Sequence, residues 1–101
     1  FRSDQLDVLL QPFLSNELFL GFDLDSIKSS DAPGVSAPSP NGLTSEQAIM
    51  LVEIIVSGSN VRLFELTEMN PNYDRDDTTA KMAATLAYTY LEKVSGSVSK
   101  K

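Results

Sequence analysis

Two apolar segments of extended character alternate with helical patterns along this chain, and that alternation leaves few possible folds. The segment from Glu17 to Asp25 is almost continuously apolar, which is typical of a central strand covered on both faces. The second strand-like segment runs from Val61 to Met69. There are three helical patterns. The first covers about residues 4–14, the second begins after Thr44, and the third runs from residue 78 to about residue 94. This order predicts an α/β fold with parallel strands and flanking helices in three layers.

Local signals place the boundaries of the central helix. The sequence Thr44-Ser45-Glu46-Gln47 is a capping box, in which the Thr44 side chain accepts from the Gln47 amide and the Gln47 side chain returns to the cap. The polar run Ser57-Gly58-Ser59-Asn60 is expected to end this helix. Residues 26–42 contain three prolines and no periodicity, which indicates a long loop between the first strand and the helix.

Composition restricts the classes of partner. The 101 residues carry a net charge of −6, which argues against nucleic acid because phosphate binding needs clustered Lys and Arg. The longest apolar run, residues 48–56, is interrupted by Glu53 and is far shorter than the ~20 residues of a membrane helix. The chain has no cysteine, so no disulfide framework is expected and a cytoplasmic location is the default.

Asp23 and Asp25 stand two residues apart where the first apolar segment ends, and Lys28 is the one basic residue among the next seven. Side chains two apart on a strand point to the same face. Two carboxylates in a site of low dielectric repel each other unless one is protonated or a metal ion neutralises both. The pair therefore indicates a cation site. The alternative is that Asp23 closes a turn and Asp25 caps the next segment of the chain.

Glu68 lies at the end of the second apolar segment, just before Asn70-Pro71. In open α/β sheets, ligands bind in the crevice beyond the carboxyl ends of the strands. If the two strands are parallel neighbours or near-neighbours, Glu68 shares that crevice with Asp23 and Asp25. Such hard oxygen ligands suit manganese or magnesium better than zinc or copper. The alternative role of Glu68 is to satisfy amides of the adjoining loop.

Three further acids, Asp74, Asp76 and Asp77, precede the final helical pattern. They do not form a calcium loop, because a charged residue replaces the required glycine and no Glu closes the loop at the right offset. We expect them to be the N-cap and first-turn acids of the final helix. In the loop of small residues from Ala32 to Pro38, Gly34 is expected either at positive φ in a rigid turn or beside the substrate.

Four motifs occur in order: Phe22-Asp23-Leu24-Asp25, Asp31-Ala32-Pro33-Gly34, Asn41-Gly42-Leu43-Thr44, and Glu65-Leu66-Thr67-Glu68-Met69-Asn70-Pro71. With these motifs at matching spacing, residues 18–91 resemble the metal-dependent ureohydrolase family of arginase, agmatinase and formimidoylglutamase. The resemblance implies an arginase-like fold and a homo-oligomer. It also implies that Asp23 and Asp25 bind two manganese ions, and that Glu68 holds the cationic amidine or guanidine of a small-molecule substrate.

Two departures from the arginase-like pattern narrow the resemblance. Lys28-Ser29 stands where that pattern has Asp-Pro, and Val35-Ser36-Ala37 stands where it has Thr-Gly-Thr. These substitutions are similar to formimidoylglutamase, which implies hydrolysis of N-formimino-glutamate to glutamate and formamide rather than an arginine or agmatine substrate.

The chain contains no histidine, whereas the family draws its other metal ligands from upstream Asp-Ala-His-x-Asp and Gly-Gly-x-His motifs. We therefore expect residues 1–94 to be the C-terminal part of a catalytic domain that needs the upstream part of its own protein. Residues 95–101 are expected to be a flexible tail, and the isolated chain is expected to be inactive. The alternative function is a noncatalytic interaction module or a pseudoenzyme remnant of the same fold.

Overall fold

The computed structural model describes residues 8–13 and 17–99. Its regular elements are strand β1 (Glu17–Asp23), helix α1 (Ser45–Gly58), strand β2 (Asn60–Thr67) and helix α2 (Thr78–Ser99). Short 3₁₀ turns lie at Gln11–Phe13, Leu24–Ser26 and Pro71–Tyr73. The two strands pair in parallel, with α1 as the crossover between them. The predicted α/β class with parallel strands and flanking helices is therefore confirmed.

The register of the sheet brings the ends of the two strands together. Pairing begins at Glu17 with Asn60 and ends at Asp23 with Thr67, with one irregularity after Leu18. Alternate residues of β1 face the helices, as expected from the period of two, and in β2 the alternation shifts by one residue at the irregularity. The residues on this inner face are Leu18, Leu20 and Phe22 of β1, and Val61, Phe64 and Leu66 of β2.

The outer face of the sheet is less covered than the sequence predicts. Phe19 pairs with Leu63 on that face, and the two side chains are 59% and 52% exposed. Within residues 8–13 and 17–99, β1 is thus buried on its inner face but not on its outer one. Continuous apolar character predicts coverage of both faces, and the described residues provide only one covering layer.

Helix α1 begins as its capping box predicts. The Gln47 amide donates to Thr44 Oγ1 at 3.1 Å, and the Thr44 amide donates to Gln47 Oε1 at 3.0 Å. A third amide at this end, that of Ser45, donates to the carboxylate of Asp31 at 2.8 Å. These contacts satisfy donors that the first helical turn leaves without intrahelical partners. The helix ends at Gly58, within the predicted polar run.

Helix α2 packs on α1 and on β2. Met82 and Leu86 are buried in the core together with Val52 and Ile55 of α1. On the side toward the sheet, the ring of Tyr90 stacks on Phe64 with centroids 4.9 Å apart, and the Tyr90 hydroxyl donates to the Val61 carbonyl at 3.1 Å. This contact joins an aromatic pair to a hydrogen bond and so fixes α2 against the strand.

Three predicted boundaries need correction or fall partly outside the described residues. The final helix continues to Ser99 rather than ending near Val94, since no proline interrupts it and a single internal glycine only weakens a helix. Strand β2 ends at Thr67, two residues before the prediction, because Glu68 adopts a positive φ. Of the predicted helix over residues 4–14, residues 8–10 are helical and 11–13 form a 3₁₀ turn, while residues 4–7 and 14 lie outside the described part.

The long loop after β1 is ordered by backbone pairing. Ile27 bridges Leu43 and Lys28 bridges Ser39, which folds the segment back on itself. Gly42 lies so close to this turn that an added Cβ would be 2.5 Å from the Ser26 carbonyl oxygen.

Among the helices that the structure describes, none has the length and hydropathy needed to span a bilayer.

Candidate functional site

Asp23 lies at the carboxyl end of β1, directly opposite the last residue of β2. Its register partner is Thr67, whose hydroxyl donates to Asp23 Oδ1 at 2.5 Å. Glu68 comes directly after Thr67 in the chain, and neighbouring strands are ~4.8 Å apart. Asp23 and Glu68 therefore lie at one edge of the sheet, at the carboxyl ends of adjacent parallel strands, where α/β folds bind ligands.

Asp25 belongs to the same end of β1, but it does not lie on the strand. The chain leaves the sheet after Asp23 and forms the 3₁₀ turn Leu24–Ser26, in which Leu24 is buried in the core. The Ser26 hydroxyl closes this turn on the Asp23 carbonyl at 2.6 Å. The expectation that Asp23 and Asp25 share a strand face is thus wrong, because a turn and not strand pleating sets their relative orientation.

Glu68 has a strained backbone. Its φ is 71°, in the left-handed region that residues other than glycine adopt at a free-energy cost of about 1–3 kcal/mol. The side chain is exposed and makes no hydrogen bond or ion pair with the described part of the chain. The alternative in which Glu68 satisfies loop amides is not what the structure shows. Its carboxylate instead extends from the sheet edge without a protein partner in residues 8–13 and 17–99.

Contacts on the far side of Glu68 hold this backbone. Met69 forms an antiparallel bridge with Val35, and the Asn70 amide donates to the Gly34 carbonyl at 2.6 Å. The Asn70 side-chain amide donates to the Ser36 hydroxyl at 2.9 Å. The loop of small residues is therefore fixed beside Glu68, at the position where the sequence suggested a substrate-lining segment.

Gly34 is required for close packing and not for a positive φ, so that part of the prediction is wrong. A Cβ on Gly34 would lie 2.8 Å from both Cβ and Cγ of Asp74 and 2.9 Å from Oγ1 of Thr79. The Gly34 amide donates to that Thr79 hydroxyl at 2.7 Å, and the bond is buried. The small-residue loop thus rests directly on the first turn of α2.

Asp74 provides the predicted cap of α2, but from four residues before the helix starts. Its carboxylate accepts from the amides of Thr79 at 2.9 Å and Ala80 at 3.1 Å. Burial raises the pKa of Asp74, whereas hydrogen bonds from Thr79, Ala80 and Arg75 lower it. The hydrogen bonds together outweigh the burial, so the pKa of Asp74 lies below its ordinary value. Asp76 and Asp77 are not first-turn acids: both precede α2 with positive φ, of 52° and 58°.

The carboxylates at the sheet edge fit a divalent cation as partial ligands. Within the described ranges, Asp23 Oδ2 makes no hydrogen bond, and Asp25 and Lys28 form no ion pair with each other or with other residues. Uncompensated carboxylate oxygens are the donors that manganese and magnesium prefer. However, nowhere in residues 8–13 and 17–99 do three or more Asp, Glu, His or Cys side chains form a metal-binding group. Further ligands would have to come from outside this part of the chain.

Sequence reasoning identified the acids at this edge but missed three of the polar residues that position them: Thr67, Ser36 and Asn70. The contact of Thr67 with Asp23 is predictable from sequence, because Thr67 ends the second strand just as Asp23 ends the first. Parallel pairing then makes the two residues partners. The Ser36 contact with Asn70 joins residues 34 positions apart and had no local signal.

Comparison with protein families and with known proteins gives a consistent result. The model of the arginase family matches residues 4–92. Over 87 residues the chain is 38% identical to formimidoylglutamase from Macrococcus caseolyticus, which aligns with 84% of this chain. It is 41% identical over 69 residues, or 68% of the chain, to formimidoylglutamase from Staphylococcus aureus. The matched regions are 28% and 22% of those relatives' lengths.

Solved structures share the fold. A hypothetical agmatinase from Burkholderia thailandensis superposes with a TM-score of 0.88 at 28% identity, over 97% of this chain and 31% of that one. Formiminoglutamase from Trypanosoma cruzi, solved with Mn²⁺, gives a TM-score of 0.78 at 27% identity, over 91% of this chain and 31% of that one. The chain thus spans about a third of the length of these solved structures.

Proposed function

Since this chain belongs to the arginase family, we propose that the full-length protein carrying it is a manganese-dependent hydrolase of C–N bonds in linear amidines or guanidines. The observation that supports the proposal best is the meeting of Asp23 and Glu68 at one sheet edge. The strands are parallel neighbours, and their register places Asp23 against the residue that precedes Glu68.

In this proposal, Asp23 and Asp25 bind the metal through carboxylate oxygens at the end of β1. When bound, the metal pair would lower the pKa of a water molecule and so supply a nucleophile at neutral pH. Glu68 binds the cationic amidine, because a carboxylate forms charge-assisted hydrogen bonds with such planar N–H groups. The fixed loop around Val35 and Ser36 limits the space beside Glu68.

We further propose N-formimidoyl-glutamate as the substrate, with glutamate and formamide as products. Support comes from the names of the relatives that are 38% and 41% identical, both formimidoylglutamases. The sequence Val35-Ser36-Ala37 in the loop beside Glu68 points the same way, by its likeness to formimidoylglutamase.

The test uses the full-length protein with the variants D23N, D25N and E68Q, and E92Q as a control. Glu92 is exposed on α2, away from the sheet edge, so E92Q removes one negative charge without touching the site. Manganese affinity is measured by calorimetry. Formamide release is measured with N-formimidoyl-glutamate, and urea release is measured with agmatine and arginine.

We expect D23N and D25N to lose manganese binding. E68Q should keep manganese binding and raise KM about 30-fold or more, as expected for loss of one partner of a charged pair. E92Q should behave as the unaltered protein. The isolated 101-residue chain should not release formamide. An unaltered full-length protein that neither binds manganese nor hydrolyses any of the three substrates would contradict the proposal and favour a noncatalytic module.

A further inference from the structure

Thr67 lies between the two acids of the proposed site, next to Glu68 in the chain and opposite Asp23 in the sheet. Its hydroxyl donates to Asp23 Oδ1 at 2.5 Å, across 44 residues of sequence, and makes no second hydrogen bond within residues 8–13 and 17–99. Thr67 is also the last residue of β2, so its backbone leads directly into Glu68. One side chain thus contacts the proposed metal ligand while its own backbone positions the proposed substrate carboxylate.

The chemistry of this contact suits orientation of a ligand. A threonine is stiff at χ1 because its Cβ is branched, so its hydroxyl has few directions available. An ionised carboxylate accepts at about four lone-pair positions, and one hydrogen bond to Oδ1 leaves Oδ2 available. The bond therefore restricts rotation of the Asp23 carboxylate without blocking metal binding. Hydrogen bonds of this kind, to a group that binds the metal, are known to tune metal affinity.

We propose that Thr67 is a positioning residue: its hydroxyl fixes the Asp23 carboxylate in the orientation that binds the metal. This inference rests on the proposed function, since it assigns a role toward the metal that Asp23 is proposed to hold. Thr67 contacts neither the substrate nor the reacting atoms and acts only through Asp23.

The experiment compares T67V, T67S and D23N in the full-length protein, with T85V as the matched control. Valine keeps the branched shape of threonine but lacks the hydroxyl, and serine keeps the hydroxyl. Thr85 is an exposed residue of α2 whose hydroxyl donates to the Lys81 carbonyl one turn earlier, so T85V makes the same chemical change away from the site. The readouts are the manganese dissociation constant, thermal unfolding without metal, and KM separately from kcat.

We expect T67V to weaken manganese binding about 10–100-fold, the range for a lost outer partner of a metal ligand. T67S should restore most of the affinity, and T85V should change nothing. With saturating manganese, T67V should recover kcat with KM unchanged, because Glu68 is intact. A purely structural role would instead lower the unfolding temperature and leave the manganese dissociation constant of the folded protein as it was.

Two results separate this inference from the proposed function. If D23N loses manganese binding while T67V binds it as tightly as the unaltered protein, the role of Thr67 is refuted and the proposed function stands. If D23N itself binds manganese normally, the proposed function fails and the Thr67 inference fails with it. Should T67V not fold, T67A against T67S makes the same comparison, because alanine is smaller than threonine and cannot overpack the strand.

Discussion

Replacing Gly34 with alanine tests how the loop beside the site is held on α2. The new Cβ would lie 2.8 Å from Cβ and Cγ of Asp74, whereas nonbonded carbons normally approach to about 3.5 Å. Forcing in such a group destabilises a packed site by about 1–3 kcal/mol. Moving Thr79 away would also weaken the buried bond from the Gly34 amide, and an unsatisfied buried amide costs about 1–3 kcal/mol. Alanine also restricts the unfolded chain more than glycine does, which returns about 0.4–1 kcal/mol of stability. We expect a net loss of about 2–4 kcal/mol.

Urea unfolding of the metal-free, full-length protein measures this loss as a lower midpoint at unchanged slope. A double-mutant cycle with D74G identifies its origin, because glycine at position 74 removes both carbons that the new methyl would meet. G34A should be at least about 1 kcal/mol less destabilising in the D74G background. A G34A loss below about 1 kcal/mol, or strict additivity of the two changes, would refute the steric reasoning.

Three further changes test the fold. T44A removes the acceptor of the Gln47 amide and should lower stability by about 1 kcal/mol in thermal unfolding; an unchanged midpoint would contradict the capping box. L86A empties a fully buried position between the helices, so denaturant unfolding should show a loss of about 2–5 kcal/mol, and a loss under about 1 kcal/mol would contradict that packing. The pKa of Asp74 is lowered in the folded state, so its stabilisation is complete above the unfolded pKa of about 3.9 and is lost as pH falls through the folded value. D74N should therefore flatten the pH dependence of stability below about pH 4, and an unchanged profile would show that another acid causes it.

The parts of the fold that could be predicted from sequence are those set by local physics. The start of α1 is predictable because its cap is complete within four residues, Thr44 to Gln47. The parallel pairing is predictable because two apolar segments on either side of a helix allow few other arrangements. The same reasoning predicts that Asp23 and Glu68 share one edge of the sheet, since parallel strands bring their carboxyl ends together.

The errors concern features that tertiary contacts decide. The position of Asp25 depends on Leu24 turning into the core, which ends the strand earlier than its apolar pattern suggests. The requirement for glycine at position 34 comes from Asp74 and Thr79, which are at least 40 residues away in sequence. No local pattern contains that information. The apolar character of Phe19 and Leu63 gave no indication that the described residues would leave their face exposed.

The contacts on both sides of Glu68 together hold its strained backbone. A φ of 71° persists in a glutamate only if the chain on both sides determines it. On one side Thr67 is held by its backbone pairing with β1, and on the other Met69 and Asn70 are held by the loop. Because Gly34 accepts from Asn70 and donates to Thr79, that loop is itself anchored on α2. The direction of the Glu68 carboxylate is thus set jointly by strand register and by a glycine contact with the helix. A substitution at Gly34 should consequently misdirect the Glu68 carboxylate. KM should then rise even where metal binding by Asp23 is unchanged.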